Sequence, residues 1–252
     1  MAATVAATAS GPADYGLDAP RIVRSMFSRG AWTLAVALVL YVVNRSEYPG
    51  PALRMCGVLA LIGTVFLAVG WAMVWSRSRS FATRLRDQML DSLALRGDER
   101  VLDVGCGRGL LAIGAAKRLK TGKVIGIDTW NPLELSGNSS DAAKANVKLE
   151  GVADKVRIEN GDAQKLVYPD NHYDVVVSNL VLHNLPEQDA RAQAIREMLR
   201  VLKPGGKLAI FDLFRTGEYA EVLRASGAQD VELSKTSFLW CVPGRSLTAR
   251  KS

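Results

Sequence analysis

The stretch 101–111, VLDVGCGRGLL, constrains this 252-residue chain more than any other. Val101, Leu102 and Val104 read as a buried strand interrupted by Asp103. Gly105, Gly107 and Gly109 then fall at alternate positions before an apolar helix opens. Glycine admits positive φ and leaves no Cβ between the backbone and a neighbour, and the helix start offers unpaired N–H groups. The polar end of a small ligand is therefore expected over this turn.

Spacing narrows the ligand. A dinucleotide fingerprint, G-x-G-x-x-G/A, needs a small residue where this chain has Leu110, which disfavours NAD. The observed D-x-G-x-G-x-G resembles motif I of the class I S-adenosylmethionine-dependent methyltransferases, and the downstream segments extend the resemblance in order. Residues 123–128, KVIGID, read as a second strand ending in an acid about 20 residues past the glycines. Residues 155–162, KVRIENGD, give a third strand and 173–180, YDVVVSNL, a fourth. Residues 201–214, VLKPGGKLAIFDLF, give a helix end, a Pro-Gly-Gly turn and a fifth strand. The region 173–206 is similar to the methyltransferase type 11, small-molecule and quinone-biosynthesis branch.

Helical patterns fall over 80–95, 109–119, 141–149, 188–202 and 218–225, with Ser139 or Ser140 as an N-cap and Gly227 as a terminator. Residues 231–237 and 246–250 read as the final strands. Strands alternating with helices predict a parallel α/β sheet covered on both faces. The resemblance implies a Rossmann-like seven-stranded sheet with its last strand antiparallel.

The resemblance also implies the cofactor, S-adenosyl-L-methionine, and its contacts. Asp103 and the backbone at Gly105 and Gly107 hold the methionine end, Asp128 the ribose, and Asp162 with the Ala163 backbone the adenine. Gly109 and Thr129 complete the set. Asn179, ending the fourth strand, lies where the methionine amine and the reactive methyl belong. Trp130 either packs on the adenosine face or is a buried structural Trp. The run Ser178-Asn179-Leu180-Val181 departs from the N-P-P-Y type that methylates amino groups of bases and glutamine.

A second feature precedes this domain. Residues 57–75 carry no charge over 19 positions, close to the ~20 needed to span a bilayer core. Nine of them are Leu, Ile, Val or Phe, which favours insertion by several kcal/mol at about −0.3 to −0.6 kcal/mol each. Residues 30–44 are also uncharged but number 15, roughly 22 Å as a helix, so this segment either spans in a thinned or tilted hairpin or lies at the interface. Arg29 and Arg45 are placed to snorkel, and Pro49, Gly50 and Pro51 break the helix between the segments. Small residues at Ala31 and Ala35, Ala60 and Thr64, and Ala68 and Ala72 suit close helix approach. The organisation expected is a flexible tail over 1–29, a hairpin over 30–76 and the methyltransferase domain over 77–252.

Charge follows this division. Residues 1–86 carry nine Arg against Asp14, Asp18 and Glu47, whereas the remainder holds 23 basic and 22 acidic residues. The surplus of the +7 net charge hugs the apolar segments, which argues against a nucleic-acid footprint. Arg77, Arg79, Arg84 and Arg86 match the positive-inside rule and place the catalytic domain on the cytosolic face of an integral membrane protein. Residues 1–10 lack acids but carry no Arg, poor support for a transit peptide. Cys56, Cys106 and Cys241 form no metal or disulfide spacing, and Cys106 reads as a small residue fitting the glycine turn.

Methyl transfer needs alignment, a nucleophilic acceptor and exclusion of water. His183, four residues past Asn179, is the candidate general base for a hydroxyl acceptor, against its reading as a turn histidine bonded to backbone. His172 in PDNHYD is expected to face solvent. Phe238, Leu239 and Trp240 form either a packing cluster or an apolar acceptor wall. The first reading is a membrane-anchored enzyme methylating a lipophilic small molecule such as a lipid, quinone or isoprenoid phenol. The alternatives are a soluble-metabolite or membrane-protein acceptor, and a tethered cofactor-binding module without turnover.

Overall fold

The computed structural model describes residues 12–16, 20–44, 49–76, 79–237 and 243–252. Expectations placed on residues 1–10, Arg45, Arg77, Phe238, Leu239, Trp240 and Cys241 fall outside the described residues.

Seven strands form one sheet: β1 (Arg100–Val104), β2 (Lys123–Asp128), β3 (Val156–Asn160), β4 (Tyr173–Asn179), β5 (Leu202–Leu213), β6 (Gln229–Leu233) and β7 (Gly244–Arg250). Their order is β3-β2-β1-β4-β5-β7-β6. The first five pair in parallel, and β7 runs antiparallel to both β5 and β6. This is the Rossmann-like methyltransferase sheet that the resemblance implies. β5 starts earlier than its apolar run because Leu202 pairs with Tyr173 ahead of a register shift at the Pro-Gly-Gly turn. The penultimate strand, expected over 231–237, starts two residues earlier and ends four residues earlier, at Leu233, and Ser237 makes an isolated bridge to Gly244.

The helices are α1 (Pro20–Asn44), α2 (Pro49–Ser76), α3 (Arg79–Ser92), α4 (Leu110–Arg118), α5 (Ser140–Leu149), α6 (Gln188–Val201) and α7 (Thr216–Ala225). Strand alternation sends Val101, Val175, Val177, Ala209 and Phe211 to a core under α3, α4 and α5. Leu102, Val104, Val176, Leu208 and Ile210 face the other way, under α6 and α7. α5 takes its N-cap from Ser139, whose hydroxyl accepts the Ala142 N–H at 3.1 Å, and α7 ends with Gly227 at φ +81°.

α1 and α2 pair antiparallel. Phe27 meets the ring of Trp71 edge-on with centroids 6.1 Å apart. A Cβ built on Gly30 would lie 3.0 Å from the Gly63 carbonyl, and one on Gly63 equally close to that of Gly30. The buried face of the pair is Val23, Gly30 and Ala37 on α1 against Cys56, Gly63 and Gly70 on α2, a small residue at almost every seventh position. This corrects the expected small-residue pairs, since Ala31, Ala35, Thr64 and Ala68 are exposed. α1 also starts ten residues before its uncharged run, so the helix behind the 15-residue segment has 25 residues. Arg86, expected among the membrane-flanking charges, instead packs on Gly114 and pairs with Asp87 at 2.9 Å.

The described part of the tail over 1–29 is likewise structured. Residues 12–16 lie on the domain, with Ala13 and Tyr15 in the core under α4 and α5, and Pro20 onward is helical.

The assignment of the α5 cap is testable by denaturant unfolding. Ser139→Ala should cost about 1 kcal/mol of domain stability, and Ser140→Ala less than about 0.5 kcal/mol. Equal losses would contradict the assignment.

Candidate functional site

β1 lies between β2 on one side and β4 on the other, so successive strands depart from it in opposite directions. In open α/β sheets the crevice at such a switch point, beyond the carboxyl ends of the strands, is where ligands bind. The glycine loop fills that position. Gly105 and Cys106 donate their N–H groups to the Ile127 carbonyl at 2.8 and 2.9 Å, which pins the loop to β2. Gly105, Gly107 and Gly109 all have positive φ. A Cβ on Gly105 would lie 2.2 Å from Val181 Cγ2, and one on Gly107 2.9 Å from Leu135 Cδ2. Two neighbouring loops therefore close directly onto the glycine backbone. Cys106 is buried against Gly126, and burial holds its thiol well above the ordinary range, a result at odds with a nucleophile.

Gly109, the N-cap of α4, has no side chain to cap the helix. Asp103 reaches across from β1 instead, and its Oδ2 accepts the Ala112 N–H at 2.8 Å. Its Oδ1 is buried without a partner, as is Oδ1 of Asn179. Asp103 pairs in register with Val177, so Asn179 lies two positions further along the adjacent strand, on the same face. Burial pushes the Asp103 carboxyl up to about 7; the Ala112 N–H opposes the rise and nearby Asp128 adds to it. Two orphaned acceptors flanking a glycine loop fit a ligand that carries an ammonium group, as the methionine end of S-adenosylmethionine does.

Asp128 ends β2 and gathers three donors: the Gly107 N–H at 2.8 Å, the Trp130 N–H at 2.7 Å and the Asn138 amide at 3.1 Å. Thr129 beside it is exposed. Trp130, at φ +62°, packs against the first core and donates its indole N–H to Asn160 at 2.7 Å. The Gly161 N–H donates to the Asp128 carbonyl, so the turn carrying exposed Asp162 starts beside Asp128. Asp162 accepts the Gln164 N–H at 2.9 Å, and Ala163 packs on the second core.

Beyond β4 the chain passes through Leu180, at φ +59°, into a 3-10 turn, Leu182–Asn184. His183 lies in this turn. Its Nδ1 is 2.5 Å from Asp212 Oδ1, and its backbone N–H donates to Asp212 Oδ2 at 3.0 Å. Asp212, on β5, is 0% exposed and also accepts the Leu213 N–H and, at 3.5 Å, the Tyr219 hydroxyl. The histidine therefore bonds a buried carboxylate rather than a backbone group alone. His172, expected in solvent, is half-buried edge-on to Tyr173.

The structure thus brings Asp103, the three glycines, Asp128, Asn179 and His183 to one edge of the sheet, with Asp162 and Ala163 at its β3 end. Sequence reasoning missed Asp212, Asn138 and Asn146. The signal for Asp212 was a lone acid in the apolar run Leu208–Phe214, and for Asn146 an amide on the buried face of α5.

Residues 102–210 match the family model described as a methyltransferase domain. The chain is 34% identical over 142 residues to methyltransferase GfsG of Streptomyces halstedii, covering 56% of this chain and 48% of that protein. It is 37% identical over 128 residues to a demethylmenaquinone methyltransferase of Lactiplantibacillus plantarum, covering 50% of each. The chain spans about half the length of the curated relatives it matches. Among solved structures it is similar to the cyclase SpnF, with 24% identity and a TM-score of 0.57 over 67% of this chain and 81% of that one. It is also similar to a geranyl diphosphate methyltransferase, with 15% identity and a TM-score of 0.53 over 68% and 78%.

The raised Asp103 carboxyl has a signed consequence. Between the ordinary carboxyl range and about 7 the folded protein holds a proton that the unfolded chain has released, so stability falls as pH rises through that window and levels off above it. Thermal unfolding against pH should show the wild type losing stability relative to Asp103→Asn up to about pH 7. A difference independent of pH would contradict this.

Proposed function

We propose that the chain, whose residues 102–210 match a methyltransferase domain, is a class I S-adenosylmethionine-dependent methyltransferase that methylates a lipophilic small molecule, of the lipid, quinone or isoprenoid kind, at a membrane. The observation that carries the reading is the α1–α2 hairpin. Trp32 is 73%, Leu61 65% and Trp71 66% exposed, and apolar side chains project all around the pair. Only 11% of the apolar stretch of α1 and 17% of that of α2 is buried. A core helix of a soluble protein is mostly buried, whereas a pair apolar on every side needs a hydrocarbon environment. Residues 12–16 before the hairpin and α3 after it both pack on the domain. Both ends of the hairpin therefore lie on the domain's side, and exposed Arg24, Arg29 and Arg84 favour the cytosolic side. The name of one similar protein, a demethylmenaquinone methyltransferase, supports a quinone-type acceptor.

When bound, S-adenosylmethionine supplies an electrophilic methyl group on a sulfonium. Asp103 and Asn179 would hold its ammonium, Asp128 its ribose hydroxyls, and Asp162 with the Ala163 backbone its adenine, with Thr129 and Trp130 beside the ribose. Val181 and Leu135 close on the glycine loop and would shield the methionine side from water. His183 takes the proton from the acceptor hydroxyl. Asp212 accepts the Nδ1–H, which leaves Nε2 as the basic nitrogen and stabilises the imidazolium once the proton has moved. The link from β5 to α7 is Phe214 and Arg215, so no insertion covers the acceptor there.

The test is to incubate full-length protein in native-like membranes with methyl-labelled S-adenosylmethionine and partition the products. Label should enter the organic phase, and His183→Ala should cut turnover by about 100-fold or more with cofactor binding kept. Label confined to water-soluble or protein fractions would overturn the acceptor class, and full turnover by His183→Ala across pH would overturn the base.

A further inference from the structure

The segment ahead of the hairpin packs on the domain beside the glycine loop. Ala13 and Tyr15 are each 8% exposed, although about 90 residues separate them from the glycine loop they approach. One side chain, Asn146 of α5, holds both partners. Its Oδ1 accepts the Asp14 N–H at 3.1 Å, and its Nδ2 donates to the Asp14 carbonyl at 2.7 Å and to the Arg108 carbonyl at 2.9 Å. Arg108 stands between Gly107 and Gly109, and its Nη1 lies 2.9 Å from the Asp14 carboxylate. Gly16, at φ +76°, approaches so closely that a Cβ there would be 2.8 Å from the Ser136 carbonyl, 3.0 Å from Leu135 Cδ1 and 3.1 Å from Arg108 Cδ. Leu135 is the residue that closes on Gly107, and Asn138 in the same loop holds Asp128. The Tyr15 hydroxyl donates to Glu150, at the end of α5, at 3.3 Å.

We propose that Asp14, Tyr15 and Gly16 form a cofactor-positioning strap, which holds the glycine loop through Arg108 and the 131–138 loop through Leu135 and Ser136 in their binding geometry. A loop with three glycines at positive φ loses much backbone freedom when ordered. A segment that orders it beforehand removes that loss from the binding step and so raises affinity. Coupling of this kind is reciprocal, so the cofactor must in turn hold the strap down. The affinity for S-adenosylmethionine is thereby tied to the chain segment that enters the hairpin.

The experiment titrates S-adenosylhomocysteine calorimetrically into full-length protein in lipid nanodiscs, for the wild type, Tyr15→Ala, Gly16→Ala and the surface variant Asp14→Ala. Tyr15→Ala and Gly16→Ala should weaken binding by about 5-fold or more, with circular dichroism unchanged, and Asp14→Ala by a smaller factor because its carboxylate is exposed. Saturating ligand should also slow chymotrypsin cleavage after Tyr15 in the wild type but not in Asp128→Ala. Unchanged affinity in Tyr15→Ala and Gly16→Ala alongside a lowered melting midpoint would reduce the strap to a structural element, and cleavage indifferent to ligand would overturn the coupling. Neither readout depends on an acceptor, so either failure is separable from that of the proposed activity.

Discussion

The carboxylate of Asp128 is the point on which the proposed cofactor half of the site depends. It takes one N–H from the glycine loop, one from the residue two beyond itself and an amide from the loop that follows. Three chain segments are thus fixed relative to the end of β2 by one side chain. Hydrogen bonds to an ionised acceptor are the stronger kind, and the half-buried position of Asp128 leaves it reachable by a ligand while its donors orient it. The glycine loop alone, with its positive φ values, would sample many conformations.

Around that point the carboxyl edge of the sheet divides in two. Toward β3 lie Asp128, Trp130 and the Asp162 turn. Toward β5 lie Asn179, His183 and Asp212, and Asp103 with its unpartnered Oδ1 stands between the two groups. Three non-glycine residues with left-handed backbone, Trp130, Leu180 and Phe214, follow the ends of β2, β4 and β5. Such conformations cost about 1–3 kcal/mol each and persist where the surroundings over-determine them. Here the contacts that sustain them include the Trp130 bonds to Asp128 and Asn160 and the Leu180 N–H bond to the Phe211 carbonyl.

The sheet was legible because buried parallel strands are short apolar runs with sharp ends. Lys123 to Asp128 could be bounded to the residue, and the α5 cap could be narrowed to Ser139 or Ser140 by its place before an amphipathic helix, of which the structure selects Ser139. What escaped the sequence were contacts between distant segments. Asp212 is one acid in an apolar strand, and its partner His183 lies 29 residues earlier on another loop. The clamp between Asn146 and Asp14 spans 132 positions and a hairpin. The paired face of α1 and α2 depends on which helix side meets the other, so Gly30, Gly63 and Gly70 took the contact that the alanine spacings suggested for themselves. The start of α1 was hidden because Arg21, Arg24 and Arg29 interrupt its apolar pattern without ending the helix.

In the proposed site this edge of the sheet receives S-adenosylmethionine, with Asp128 as its organising acid. The most direct test of this assignment is the affinity of full-length Asp128→Ala for S-adenosylhomocysteine against that of the wild type, measured on protein whose circular dichroism confirms an intact fold. The expected loss is about ten-fold or more, the scale of charge-assisted hydrogen bonds removed from a bound ligand and its loop. Equal affinity in the two proteins would contradict it.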